Sequence, residues 1–384
     1  MPPTPFRNPE RRRRQPFAKG RGSAPMVSGR AAGLGAVVLA VVLAACGSGQ
    51  SRASGTATSA PHATNVPTSA PPTTAPPTSP PTTAKPAPPG GAPYGVGLAT
   101  FSYVEPPGHV VPAPFAPGGA AAAPRRLSVQ VRYPSTGPPS ATDTPLAPRQ
   151  GGGPFPLLVF APGLNEDPPP YQPLLHDWAQ AGFVVAATTF PVTSPSVPSA
   201  GDKERDLPNQ PYDVTFLIDS LIAAANNPAD PLHQLVNPAE IAVAGQSDGG
   251  NTALATGYNT AYQDHRIKAA VILSGARYGY PGGTWFPAGV PPLLATQGTA
   301  DTINPPSLTN DFFTNDPQPD KYLLCLQGAP HLDPYVARNS FERVVAQVSI
   351  DFLDAELYHL PGSLDMMMQA GAVPGTAAFA SRCG

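Results

Sequence analysis

Residues 240–250 read EIAVAGQSDGG, and how they are taken decides the rest of the chain. The run 240–245 (EIAVAG) predicts a short buried strand, and a helix-like run starts at Asn251. Between them stands G-x-S-x-G, with Gly245, Ser247 and Gly249 at the fixed places. That spacing has a steric cause. A serine in a strained strand-to-helix turn projects its hydroxyl outward, and the flanking glycines let neighbouring backbone come close. The motif alone is weak in a chain this rich in Gly and Ser, where it would otherwise be a Gly-rich turn with an idle serine. The strand–turn–helix context is what gives it weight.

The same alternation extends outward in both directions. Residues 155–161 (FPLLVFA) form a continuous apolar run ended by Pro162-Gly163, as expected of a strand covered on both faces. Residues 171–182 predict a helix with Gly182 past its end, and 183–189 the next strand. Val214, Leu217, Ile218, Leu221, Ile222 and Ala225 fall at helical spacing behind Asp213, which suits an N-cap. Strands are expected at 268–274, 292–297 and 321–327, and a last helix over 338–358 with Phe341, Val344, Val345, Val348 and Phe352 on one side. Earlier, 95–104 and 126–133 fit an antiparallel edge pair. Strands alternating with helices imply an α/β fold with a mostly parallel central sheet flanked by helices. In such a sheet chemistry collects at the carboxyl ends of the strands.

A serine hydroxyl is a poor nucleophile until a base takes its proton, and the base needs an orienting acid. The strand at 292–297 runs into Gly298-Thr299-Ala300-Asp301, and the strand at 321–327 into Gly328-Ala329-Pro330-His331. Asp301 and His331 are therefore expected at strand ends. His62 falls in a Ser/Thr/Pro tract, while His109, His176, His233, His265 and His359 follow no strand end. Asp301 also suits a turn cap, an ordinary role for Asp after Gly-Thr. The catalytic set expected is Ser247, Asp301 and His331. The Asp248 amide and an amide of the loop 162–165, that of Leu164, would hold an oxyanion.

These residues resemble the α/β-hydrolase superfamily, over about residues 95–360. The order Ser247, Asp301, His331 is the one found there. RRLSVQVRYP at 125–134, FPLLVFAPGL at 155–164, GQSDGG at 245–250 and GTADTINPP at 298–306 are similar to dienelactone-hydrolase-like, platelet-activating-factor-acetylhydrolase-like and cutinase- or polyesterase-like members. Dienelactone hydrolases carry a cysteine where Ser247 stands. Polyesterases usually have His and Met where this chain has Gln246 and Asp248. The resemblance thus implies the superfamily's chemistry rather than one branch's substrate: an α/β-hydrolase fold and a carboxylic ester cleaved through an acyl-enzyme. An Asp nucleophile would mean dehalogenase or epoxide hydrolase, so Ser247 narrows the chemistry to acyl transfer. The same triad also serves peptidases and acyltransferases, and a hydrolase scaffold without turnover would be a surface binding protein.

After the strand at 268–274 only 276–290 (ARYGYPGGTWFPAGV) intervenes, too little for a large lid domain. Its Tyr278, Trp285 and Phe286, with Tyr280, read either as the aromatic wall of an open acyl pocket or as a loop folded back on the core. Cys325 and Cys383 suit a disulfide if the domain is exported to an oxidising setting. No His/Cys/Asp cluster has metal-ligand spacing and no G-x-G-x-x-G or Walker sequence opens a helix. The sequence implies no cofactor.

Composition divides the chain. Gly (37) and Pro (56) together fill 93 of 384 positions, near twice the usual share of about 12%. Much of the excess lies in 47–93, a Ser/Thr/Ala/Pro tract whose charged residues are Arg52 and Lys85. It has too little apolar surface to offset chain entropy and reads as an extended tether. Before it, 31–45 (AAGLGAVVLAVVLAA) follows Arg30 and ends at Leu43-Ala44-Ala45-Cys46. Fifteen apolar residues match a signal-peptide core rather than a membrane span of about 20. The ending resembles a bacterial lipobox in which Cys46 is lipidated. Residues 1–25 read either as an extension upstream of a start at Met26 or, through Arg13-Arg14, as a loose twin-arginine signal. Segments 1–46, 47–93 and 94–384 are accordingly expected as leader, tether and catalytic domain, exported and held at a membrane surface. Residues 1–46 carry eight Lys/Arg and one acid, which leaves 15 basic and 24 acidic groups in the remainder, a net of −9. That balance excludes nucleic acid as a partner.

Overall fold

A computed structural model describes residues 93–106, 124–145, 147–148, 153–197 and 203–384. All lie in the unit Pro77–Gly384. The expected leader with Cys46, and the tether apart from Pro93, lie outside the described residues.

Among these residues nine strands form one sheet: β1 (Gly95–Glu105), β2 (Arg125–Ser135), β3 (Phe155–Ala161), β4 (Val184–Thr189), β5 (Val236–Gln246), β6 (Ile267–Leu273), β7 (Leu293–Gly298), β8 (Lys321–Leu326) and β9 (Ala377–Phe379). Their order is β1-β2-β4-β3-β5-β6-β7-β8-β9. β3 to β8 run parallel. β1 and β2 pair antiparallel, β2 continues antiparallel onto β4, and β9 closes the far edge antiparallel to β8. The helices are α1 (Gln172–Gln180), α2 (Gln210–Asn226), α3 (Asp248–Tyr258), α4 (Pro306–Asn315), α5 (Asp333–Val336), α6 (Ser340–Leu357) and α7 (Ser363–Ala370).

The continuous apolar runs have the cause expected of them. Side chains alternate across a strand. Leu157 and Val159 of β3, with Val243 of β5 and Ile272 of β6, meet Val214, Leu217, Ile218 and Leu221 of α2 and Leu254 of α3. Leu158 and Phe160, with Ala244 and Leu273, meet Leu174, Leu175 and Trp178 of α1 and Val345, Val348 and Phe352 of α6. Both faces are thus roofed by helix, and each fully buried Leu, Val, Ile or Phe contributes roughly 1.5–3 kcal/mol. No helix among the described residues is long and apolar enough to cross a membrane.

The connections place the site. From β3 the chain crosses through α1 to β4 on one side; from β5 it crosses through α3 to β6 on the other. β3 and β5 are neighbours, with Ala161 opposite Gly245. Loops leaving these two strand ends therefore part company and open a crevice.

α2 differs from the sequence expectation. It starts at Gln210 with Pro211 in its first turn, where proline's fixed φ suits a helix start, and a 3₁₀ stretch Lys203–Asn209 precedes it. Asp213 is inside the first turn rather than capping it, because Arg125 of β2 holds its carboxylate. Arg125 Nε and Nη2 donate to Asp213 Oδ1 and Oδ2 at 2.6 Å each. Nη1 and Nη2 donate to Asp206 Oδ1 and Oδ2 at 2.9 and 2.8 Å. One guanidinium thereby ties the antiparallel edge to the segment leading into α2. At the opposite edge Cys325 of β8 is disulfide-bonded to Cys383, whose backbone also exchanges two hydrogen bonds with the Asn310 side chain of α4.

Candidate active site

Ser247 sits between β5 and α3 with φ 56° and ψ −124°, a left-handed φ that a non-glycine residue adopts at a local energetic cost. The surroundings leave it no alternative. Its amide donates to Leu273 O of β6 at 2.9 Å and its carbonyl accepts from the Asn251 amide at 2.9 Å. A Cβ on Gly249 would overlap the Ala161 carbonyl of β3, and one on Gly245 would overlap the Gly249 carbonyl. The two motif glycines are thus required by close approach of β3, β5 and α3.

Asp301 follows β7 and His331 follows β8, and the fold brings both to Ser247. His331 Nε2 lies 2.8 Å from Ser247 Oγ, and His331 Nδ1 lies 2.7 Å from Asp301 Oδ2. Asp301 Oδ1 accepts from the amides of Ile303 and Asn304 at 2.9 Å each, and Gln297 Nε2 donates to Oδ2 at 3.3 Å. The turn-capping role and the partnership with His331 are therefore both filled, one by each carboxylate oxygen. Burial opposes ionisation of Asp301. The hydrogen bond and charge of His331, with the two amides, outweigh it and hold the carboxyl below its ordinary range.

A cavity of about 300 Å³ opens over Ser247 and His331, lined also by Gly163, Leu164, Glu166, Glu204, Gln246, Asp248, Ile303, Asn304 and Leu332. Both expected oxyanion residues are in that wall. The amides of Asn165 and Glu166 donate to Thr193 O and Gly163 O, and the Gly163 amide donates to Tyr171 Oη. Within 163–166 this leaves the Leu164 amide as the one with no hydrogen bond to the described residues. Burial, and then the neighbouring Asp167, push the Glu166 carboxyl up.

Tyr278, Trp285 and Phe286 are not among the residues lining the cavity; of the two readings of 276–290, Tyr280, Trp285 and Phe286 fit the loop folded back on α3 and its end, and Tyr278 does not. Tyr280 Oη is 2.7 Å from Thr252 Oγ1 of α3. Trp285 bridges Asn259, and the Phe286 ring meets Tyr258 at 5.7 Å while its amide donates to Tyr258 O. Tyr278 remains 57% exposed, its hydroxyl 3.2 Å from Glu204 Oε2. Aromatic rings find more buried contact on α3 than a solvent-open wall offers.

Three residues near the site were given no role from the sequence. Tyr335 of α5 is fully buried behind the triad, its hydroxyl 2.8 Å from Ser274 Oγ and 3.1 Å from Thr296 Oγ1. Burial raises its pKa to about 12, so it stays protonated. Gln246 and Tyr171 form a second chain: Tyr171 Oη donates to Gln246 Oε1 at 2.8 Å. Gln246 Nε2 lies 3.2 Å from both His331 O and His331 Nε2. Gln246 was visible as the residue before Ser247, but Tyr171 carries no sequence signal because its partner is 75 residues away.

No group of three or more His, Cys, Asp or Glu among the described residues is arranged to hold a metal ion. Compared with protein-family models and with curated proteins, the chain matches none.

Proposed function

We propose that the protein is a serine hydrolase with an α/β-hydrolase fold that cleaves carboxylic esters. The observation that carries this reading is the line Asp301 Oδ2–His331 Nδ1–His331 Nε2–Ser247 Oγ, 2.7 and 2.8 Å at its two hydrogen bonds, opening on a cavity at the switch between β3 and β5. His331 takes the Ser247 proton as Oγ attacks the ester carbonyl, and the carbonyl electron pair moves onto oxygen. The Leu164 and Asp248 amides hold that oxyanion. Asp301 keeps the proton on Nδ1 and stabilises the imidazolium formed. Collapse breaks the bond to the alcohol, which leaves with the proton from Nε2. Water then loses a proton to the same nitrogen, attacks the acyl-enzyme and releases the acid and free Ser247. A volume of about 300 Å³ stands at the small end of ligand pockets and favours short acyl groups. The leader supports export and a lipid anchor at Cys46, which incorporation of labelled fatty acid would test.

The test of activity is hydrolysis of p-nitrophenyl esters from acetyl to palmitoyl by the full chain, beside Ser247→Ala. The expected result is turnover favouring the short esters, with kcat reduced at least about 10⁴-fold in the variant. Cleavage of aminoacyl amides in preference to esters would make it a peptidase, and partition to added alcohols an acyltransferase. Wild-type inactivity with no labelling by a fluorophosphonate would leave a binding protein on a hydrolase scaffold.

A further inference from the structure

We propose that Gln246 is a positioning residue that holds a donor N–H against His331 Nε2 between turnovers, so that this nitrogen stays the acceptor for Ser247 Oγ–H, and that Tyr171 fixes the direction in which Gln246 points. The inference rests on the hydrolase reading above and adds to it a determinant of the pH range in which the base works.

Hydrogen-bond direction fixes the amide from both ends. A backbone N–H only donates, so Tyr171 Oη accepts from Gly163 at 3.2 Å. Its own hydrogen is then available for Gln246 Oε1 at 2.8 Å. Burial raises the Tyr171 hydroxyl well above its ordinary range, so that hydrogen is present. At the other end the His331 carbonyl only accepts, so the side of Gln246 facing it at 3.2 Å is the amino group. Its second hydrogen points to His331 Nε2, also 3.2 Å away. Gln246 is 1% exposed and Tyr171 is fully buried, so water does not substitute for either contact.

The consequence falls on the imidazole. Nδ1 faces the Asp301 carboxylate and carries a hydrogen; Nε2 faces two donors, Ser247 Oγ–H and Gln246 Nε2–H. A proton arriving at Nε2 from solvent would meet the Gln246 N–H head-on. The other charged groups around the ring push the opposite way. Asp301 is on Nδ1; Glu166, Glu204 and Asp248 are in the cavity wall; Asp333 opens α5 two residues on. All are acids. Lys203, which meets the loop after β3, is engaged by Asn165 Oδ1 and Ser194 O. Gln246 is the dipole that opposes this acidic surround, and Tyr171 prevents it from turning over.

The experiment is the pH profile of kcat/KM on p-nitrophenyl acetate for the full chain and three variants: Gln246→Glu, Gln246→Met and Tyr171→Phe. Gln246→Glu replaces a donor by an acceptor of the same shape and is expected to move the acid limb up by about one pH unit. That is an approximately tenfold loss on the limb with a change of no more than a few-fold on the alkaline plateau. Gln246→Met and Tyr171→Phe should move it the same way by less. A role confined to packing would lower the rate evenly at every pH without moving the limb, and that result in folded variants overturns the inference. If Gln246→Glu does not fold, Tyr171→Phe decides alone. Failure of the hydrolase reading is separate: it appears as absent turnover in the wild type.

Discussion

Asp301–His331 and Asp143–His176 are the same chemical pair in two settings. In both, a carboxylate oxygen meets the histidine Nδ1, at 2.7 and 2.6 Å. His331 stands in a loop past a strand end, with its Nε2 on Ser247 Oγ and its edge in the cavity. His176 lies in the middle of α1, 1% exposed. Its Nε2 is buried without a partner among the described residues, and Asp143 is held from the other side by Arg132 Nε at 2.7 Å. A carboxylate behind an imidazole therefore does not make a site. What distinguishes His331 is that the sheet's switch point delivers a hydroxyl and an opening to its free nitrogen. The hydrogen bond from His176 of α1, with the Arg132–Asp143 ion pair, instead clamps the loop carrying Asp143 onto the body.

This contrast can be broken most directly by removing one charge at a time. Asp301→Asn is expected to lower kcat on p-nitrophenyl acetate by about 10⁴ at neutral pH with the fold intact, because an amide does not hold the tautomer the base needs. Asp143→Asn should leave kcat within about twofold. It should instead lower the free energy of unfolding in urea by about 3–5 kcal/mol, since it strands the buried Arg132 guanidinium. Equal kinetic losses in the two variants would erase the distinction.

A smaller effect sharpens it. Burial works against ionisation of Asp143, yet the His176 hydrogen bond and the charge and hydrogen bond of Arg132 hold its carboxyl below the ordinary range; Asp301 is held low likewise. A carboxyl whose folded pKa lies below its unfolded value of about 3.9 contributes stability that is complete above that value. The contribution is lost as pH falls through the folded pKa. In urea unfolding these two carboxyls should therefore contribute less to stability at pH 3 than at pH 7. Asp143→Asn should narrow the difference, having one fewer such carboxyl to protonate.

The parts legible in the sequence were those fixed by local rules. Two-sided apolar runs gave the parallel strands because each is roofed on both faces, and G-x-S-x-G gave the turn because backbone contacts at Gly245 and Gly249 admit nothing larger. Asp301 and His331 were legible as residues just past strands. Less local features were hidden. The start of α2 was obscured by Pro208 and Pro211 and by an Asp213 that looks like a cap but answers to Arg125, 88 residues away. α4 and α7 carry too few spaced apolar residues to announce themselves. The loop 276–290 left its aromatics undecided between cavity and core, since composition carries no direction; Tyr280 and Phe286 pack on α3, while Tyr278 stays exposed beside Glu204. The Asp143–His176 pair was invisible for the same reason as Tyr171–Gln246: its members meet through the fold and share no motif.

The central claim is that Ser247 is a nucleophile activated by His331. Its most direct test is to treat the full chain with a fluorophosphonate and locate the adduct by peptide mass spectrometry, beside His331→Ala. A single adduct on Ser247 is expected in the wild type, with labelling slowed by about 10³-fold or more without the histidine. An unmodified Ser247 in folded wild-type protein, or labelling that persists undiminished in His331→Ala, would contradict it.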